Sequence, residues 1–127
     1  MKLSEKQQIF TRNIGCLIEF AYNQGWGLTF GEAQRTQDQI LLNFFGFSVV
    51  KGGSLGIKLV KRKPTSKTLE SLHGYRLAVD FNLFINGEYI TDRAPYKPLA
   101  EYWKSLHPNN RAGYDWGWDA NHFEMQP

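Results

Sequence analysis

A single cysteine, Cys16, stands in the chain of 127 residues, so no internal disulfide can form. It falls among the apolar positions of an expected helix, where a thiol packs as a small, inert hydrophobe. A catalytic Cys–His pair is the competing reading. No run approaches the ~18 apolar residues of a membrane span. The opening MKLSEKQQIF has no apolar stretch of the kind a secretory signal needs. The expectation is a chain made inside the cell, with no membrane insertion, that needs help to act beyond the membrane. There is also no internal repeat and no sign of a second domain. What is present is 42% hydrophobic and 15% aromatic, enough for a core and too much for disorder. The length suits one domain. The net charge of +3 suits an anionic partner, a wall polymer or a nucleic acid, without choosing between them.

SEKQ reads as a capping box, Ser4 as N-cap and Gln7 reaching back, opening a helix over 5–24. Phe10, Ile14, Leu17, Ile18 and Ala21 form its apolar face. A short strand is expected over 26–30. A second helix follows, with Thr36 as its cap, Gln39 in the capping-box position, and Gly46 as its stop. Residues 46–70 lose periodicity and are rich in Gly and Lys, which predicts a flexible basic surface loop. RLAVDFNLFINGEYI alternates Leu77, Val79, Phe81 and Leu83 with Ala78, Asp80, Asn82 and Phe84, the period of a strand. Asn86-Gly87 signals a hairpin with EYIT as the return strand. Pro95 opens a helix through Leu99, Ala100, Trp103 and Leu106, stopped by Pro108, and a last strand is expected near 121–125.

The strand places Ala78 and Asp80 on one face. His73 stands at its entrance, where a turn can return it to Asp80. His122 follows Asp119 closely in WDANHFE. Two imidazoles and one carboxylate suffice to hold zinc, and three protein ligands leave a fourth position open, the mark of a catalytic site. Asp115 and Glu124 are further carboxylates near His122. His107, at a helix end before Pro108, reads as structural or exposed.

Ser71-x-His73 with Ala78-x-Asp80, then Asp119-x-x-His122-Phe123-Glu124 introduced by Trp116 and Trp118, together resemble the zinc D,D-carboxypeptidase and L-alanyl-D-glutamate endopeptidase family, most of all its small phage endolysin members. The resemblance spans roughly residues 26–125. It implies a single α+β domain over 1–127, with an antiparallel sheet carrying a zinc cleft flanked by helices, of the hedgehog/D,D-peptidase kind. It implies His73, Asp80 and His122 as ligands of Zn2+, and Asp119 as the general base. Arg35 would stabilise the carbonyl oxygen as charge develops. Gln39 would reach substrate from the same face, and Ser71 would position substrate or order the ligand loop. Many members have glycine where this chain has Arg76; a cation there would narrow the cleft or meet an anionic substrate.

The implied activity is hydrolysis of peptidoglycan stem peptides by a monomeric lysis enzyme, made in the host cytoplasm and released to the cell wall or periplasm. The alternatives are a D-alanyl-D-alanine carboxypeptidase and a non-catalytic, zinc-stabilised wall-binding module. The presence of Asp119 argues against the binding module, which has no need of a base. Nucleic-acid binding through KLVKRK is set aside, because no aromatic residues interleave with those cations.

Overall fold

A computed structural model describes residues 1–54 and 56–127 with their side chains. Helix α1 spans Leu3–Asn23. Its cap is Lys2 rather than Ser4, because the Lys2 N–H donates to Glu5 Oε2 at 2.7 Å. Gln7 does not reach back to the cap. Its Nε2 donates to the Tyr75 carbonyl at 2.8 Å and ties α1 to the segment before the central strand. Phe10, Leu17 and Ala21 are buried, while Cys16 is only half-buried.

Strand β1 is Gly27–Phe30 and helix α2 is Gln37–Phe45. Thr36 caps α2 as expected, its hydroxyl accepting from the Gln39 N–H at 3.2 Å, and Gly46 ends the helix in the left-handed conformation. Phe47–Lys51 (β2) and Ile57–Lys61 (β3) then pair antiparallel. This corrects the reading of 46–70 as one continuous loop. Val49, Val50, Ile57 and Val60 favour strand on both sides of a glycine-containing turn. The interspersed lysines disguise the pattern. Residues 62–70 carry no helix or strand.

Strand β4, Ala78–Ile85, is the centre of the molecule. Val79, Phe81 and Leu83 are buried on one face, while Asp80 and Asn82 are half-buried on the other. Asn86 and Gly87 both have positive φ, 53° and 78°, as a two-residue hairpin turn requires. The return strand β5 is only Glu88–Tyr89, although the Ile90 N–H still reaches the Leu83 carbonyl at 2.8 Å. Lys97–Leu106 is α3, entered through a 3-10 turn at Ala94–Tyr96. Asn110–Ala112 is β6, too short for any periodicity to predict it, and His122–Met125 is β7.

The main sheet runs β1-β4-β7-β6, with β5 also on β4, and every pairing is antiparallel. Helices α1 and α3 contribute Phe10, Leu17, Leu99 and Trp103 to a core with Val79, Phe81, Leu83 and Phe123 of the sheet. Val79 pairs with Phe123, both toward that core. The neighbouring pairs, Ala78 with Glu124 and Asp80 with His122, therefore face the other way. The result is a single small α+β domain whose central strand pair carries its polar residues on one face.

Candidate metal centre

Register alone sets Asp80 beside His122. The His122 Nδ1 atom lies 3.1 Å from Asp80 Oδ1. His73 arrives from the turn before β4. Ser71 orders that turn, its Oγ accepting the His73 N–H at 3.2 Å. The His73 Nε2 atom lies 3.4 Å from the same Asp80 oxygen. One donor atom each from His73, Asp80 and His122 lie within 4.8 Å of one another. Tetrahedral zinc with bonds of 2.0–2.1 Å sets its ligand atoms ~3.3 Å apart. Both histidine-to-aspartate distances match that spacing, and the nitrogen and carboxylate donors suit zinc.

Each imidazole has a carboxylate behind it. The His122 Nε2 atom is 2.9 Å from Glu124 Oε1. The tautomer that donates there leaves the Nδ1 lone pair facing Asp80. Glu124 is itself held by Arg111 at 3.0 Å and by Gln126. On the other side, His73 Nδ1 is buried without a hydrogen-bond partner and lies 3.7 Å from Glu32 Oε1. Glu32 was not foreseen from sequence. Its backbone carbonyl accepts the Asp80 N–H at 2.8 Å, which carries the β1–β4 pairing one step into the site.

Burial pushes the Asp80 carboxyl up, but hydrogen bonds from His122 and His73 outweigh it and hold the group at about 2. Burial opposes charge on His122, yet its hydrogen bonds to Asp80 and Glu124 raise it to about 9. Burial pushes Glu124 up, and the bonds to His122 and Arg111 bring it below the ordinary range. Asp119 differs: burial raises it, His122 opposes this, and repulsion from Asp80 adds to it. Its Oδ2 lies 3.8 Å from His122 Nδ1. The turn that brings it there packs on Gly113, where any Cβ would fall 2.0 Å from the Asp119 carbonyl oxygen.

These groups line a cleft of about 970 Å³ that also receives Arg35, Ser71, Trp116 and Trp118. The Trp116 ring stands 5.3 Å from the His122 ring and walls one side. Arg35 is anchored by Glu32, whose Oε1 accepts from Nε at 2.9 Å and Nη2 at 2.5 Å. Gln39 and Arg76 do not line this cleft. Gln39 turns along α2 and donates to Asn43 Oδ1 at 2.6 Å. Arg76 is exposed, with its backbone at φ 58°, the left-handed region that favours glycine. Glycine would adopt this backbone without the strain a side chain meets there. Asp115 pairs with Lys104 at 3.0 Å and also lies outside the cleft. His107 Nδ1 accepts the Asn109 N–H at 3.1 Å, a turn contact.

Residues 64–125 match the family model described as D-alanyl-D-alanine carboxypeptidase. The match covers just under half of the chain and includes Ser71, His73, Asp80, Asp119 and His122, but not Arg35. It supports a peptidase of that broad family, and the His-Asp-His cluster suits the metal such enzymes use. No curated protein matches the chain. Among the described residues, no helix is long and apolar enough to cross a membrane.

Proposed function

We propose that the protein is a zinc metallopeptidase that hydrolyses peptidoglycan stem peptides between L-alanine and D-glutamate, as a phage or prophage endolysin. It would be made in the host cytoplasm and reach the wall after release. The observation that carries this reading is the opening of His73, Asp80 and His122 onto the same cleft as Asp119 and Arg35. His73, Asp80 and His122 would hold the zinc, which supplies a Lewis acid that acidifies water and polarises a carbonyl. Asp119 stands beside the histidines in the cleft, 3.8 Å from His122 Nδ1, and its raised pKa suits a base. It takes the proton from the attacking water and passes it to the leaving amine. Arg35 meets charge as it grows on the carbonyl oxygen, held in aim by Glu32. Ser71 keeps the His73 turn in order, and Trp116 gives the substrate an apolar wall.

A D-alanyl-D-alanine carboxypeptidase is the second reading, favoured by the description of the matching family model. Mass spectrometry of purified peptidoglycan digested with the zinc-loaded protein separates the two. Free L-alanine ends supporting an endopeptidase would contrast with loss of single D-alanine residues. Zinc-dependent wall binding with no released fragment would leave only a binding module.

A further inference from the structure

The β2–β3 hairpin stands apart from the cleft and is exposed along β3 and over Val49–Lys51, with Phe47 and Ser48 half-buried. Pairing sets Phe47 opposite Lys61, Val49 opposite Leu59, and Lys51 opposite Ile57 on one face. That face continues across a largely apolar groove of about 400 Å³ formed with Leu41, Leu42 and Phe45 of α2, with the acid Asp38 also lining it. Ile57 is 70% exposed, Leu59 58%, Val49 51% and Phe45 50%. A contiguous apolar patch of this kind marks a contact surface rather than ordinary surface scatter.

Charge selects the partner. Six of the fifteen Lys and Arg residues lie between 46 and 70, with only Glu70 of the twelve acids, so this segment carries +5 and the remainder of the chain −2. Arg62 is committed to structure, bonding Ser48 Oγ at 2.7 Å and Asn43 Oδ1 at 3.0 Å. Lys51 and Lys61 close the two ends of the apolar face, while Lys58, paired with Val50, is on the opposite face. Two copies meeting through this face would bring like charges together. A hydrophilic anionic polymer would satisfy the lysines and leave the apolar centre wet. A surface with phosphate groups above hydrocarbon satisfies both.

We propose that this hairpin docks the protein on the surface of an anionic phospholipid bilayer, with Phe45, Val49, Ile57 and Leu59 in the headgroup boundary and the lysines on lipid phosphates. The chain lies on the bilayer and does not cross it. The proposal is independent of the chemistry in the cleft. Sedimentation with vesicles of phosphatidylcholine alone, and of phosphatidylcholine with about one-third phosphatidylglycerol, tests it on the full chain. Binding should appear only with the anionic lipid and fall as salt rises. Lys51→Glu, on the docking face opposite Ile57, should weaken it at least about fivefold. Ile57→Ser with Leu59→Ser should weaken it about tenfold or more, with the circular dichroism spectrum and zinc content unchanged. Equal binding to both vesicle types, or none to either, would overturn the proposal. So would a concentration-dependent dimer that the Ile57→Ser, Leu59→Ser variant dissolves, or retention on anionic wall polymer or nucleic acid without vesicle binding.

Discussion

Glu32 Oε1 accepts two hydrogen bonds from Arg35 and lies 3.7 Å from His73 Nδ1. One carboxylate oxygen thus stands behind both a cleft cation and a histidine of the candidate metal cluster. Glu32→Gln keeps the shape and removes the charge. Loss of a group that orients a ligand costs 10–100-fold in metal affinity, so zinc should bind at least about tenfold more weakly. Competition against a chromogenic chelator measures this. Unchanged affinity would restrict Glu32 to anchoring Arg35.

Arg35→Ala should lower kcat by about 10²- to 10³-fold, by analogy with loss of one oxyanion donor. Arg35→Lys should also be impaired, because a single ammonium nitrogen lacks the planar fork that holds Glu32 through Nε and Nη2 while leaving Nη1 for the cleft. Steady-state kinetics on a soluble muropeptide, with zinc content checked, decides the role. A rise in KM alone would make Arg35 a substrate anchor.

Zinc binding should depend on pH with a definite sign. In the metal-free protein His122 holds its proton up to about 9. Zinc needs that nitrogen bare. Affinity should therefore rise as pH increases from 6 to about 9, with proton release measurable by calorimetry in buffers of different ionisation enthalpy. Stability of the metal-free protein should run the opposite way. A raised pKa on His122 stabilises fully below its ordinary 6.5 and is lost as pH rises through about 9. The depressed Asp80 contributes above its ordinary 3.8, and this is lost as pH falls through about 2. Flat metal-free stability between pH 7 and 9.5 would contradict the His122 environment described above.

Arg76 occupies a left-handed backbone position with its side chain exposed. Arg76→Gly removes a strain of ~1–2 kcal/mol and adds unfolded-state freedom worth ~0.5–1 kcal/mol. A net gain of up to about 1 kcal/mol in denaturant unfolding is expected, with zinc content unchanged.

The grouping of His73, Asp80 and His122 was legible because two of them obey a local rule. Strand alternation sets Asp80 opposite the core, and the same alternation carries His122 and Glu124 on β7. Glu32 was hidden because nothing in GEAQR signals that its carboxylate meets a histidine far along the chain. The capping box at Ser4 failed because Glu5 serves the preceding residue instead. Gln39 occupies the third position of α2, but its side chain runs forward to Asn43 instead of back to the cap or into the cleft. The hairpin was obscured because its apolar residues are not buried, so lysines interrupt both faces.

The most direct test compares wild type with Asp119→Ala at equal zinc occupancy, on purified peptidoglycan, by mass-spectrometric yield of released fragments. The proposed ligands His73, Asp80 and His122 remain intact in that variant, so zinc and fold should persist. Turnover should fall at least about 10²-fold if Asp119 is the base. Near-normal fragment release by zinc-loaded Asp119→Ala would contradict the assignment of catalysis to this cleft.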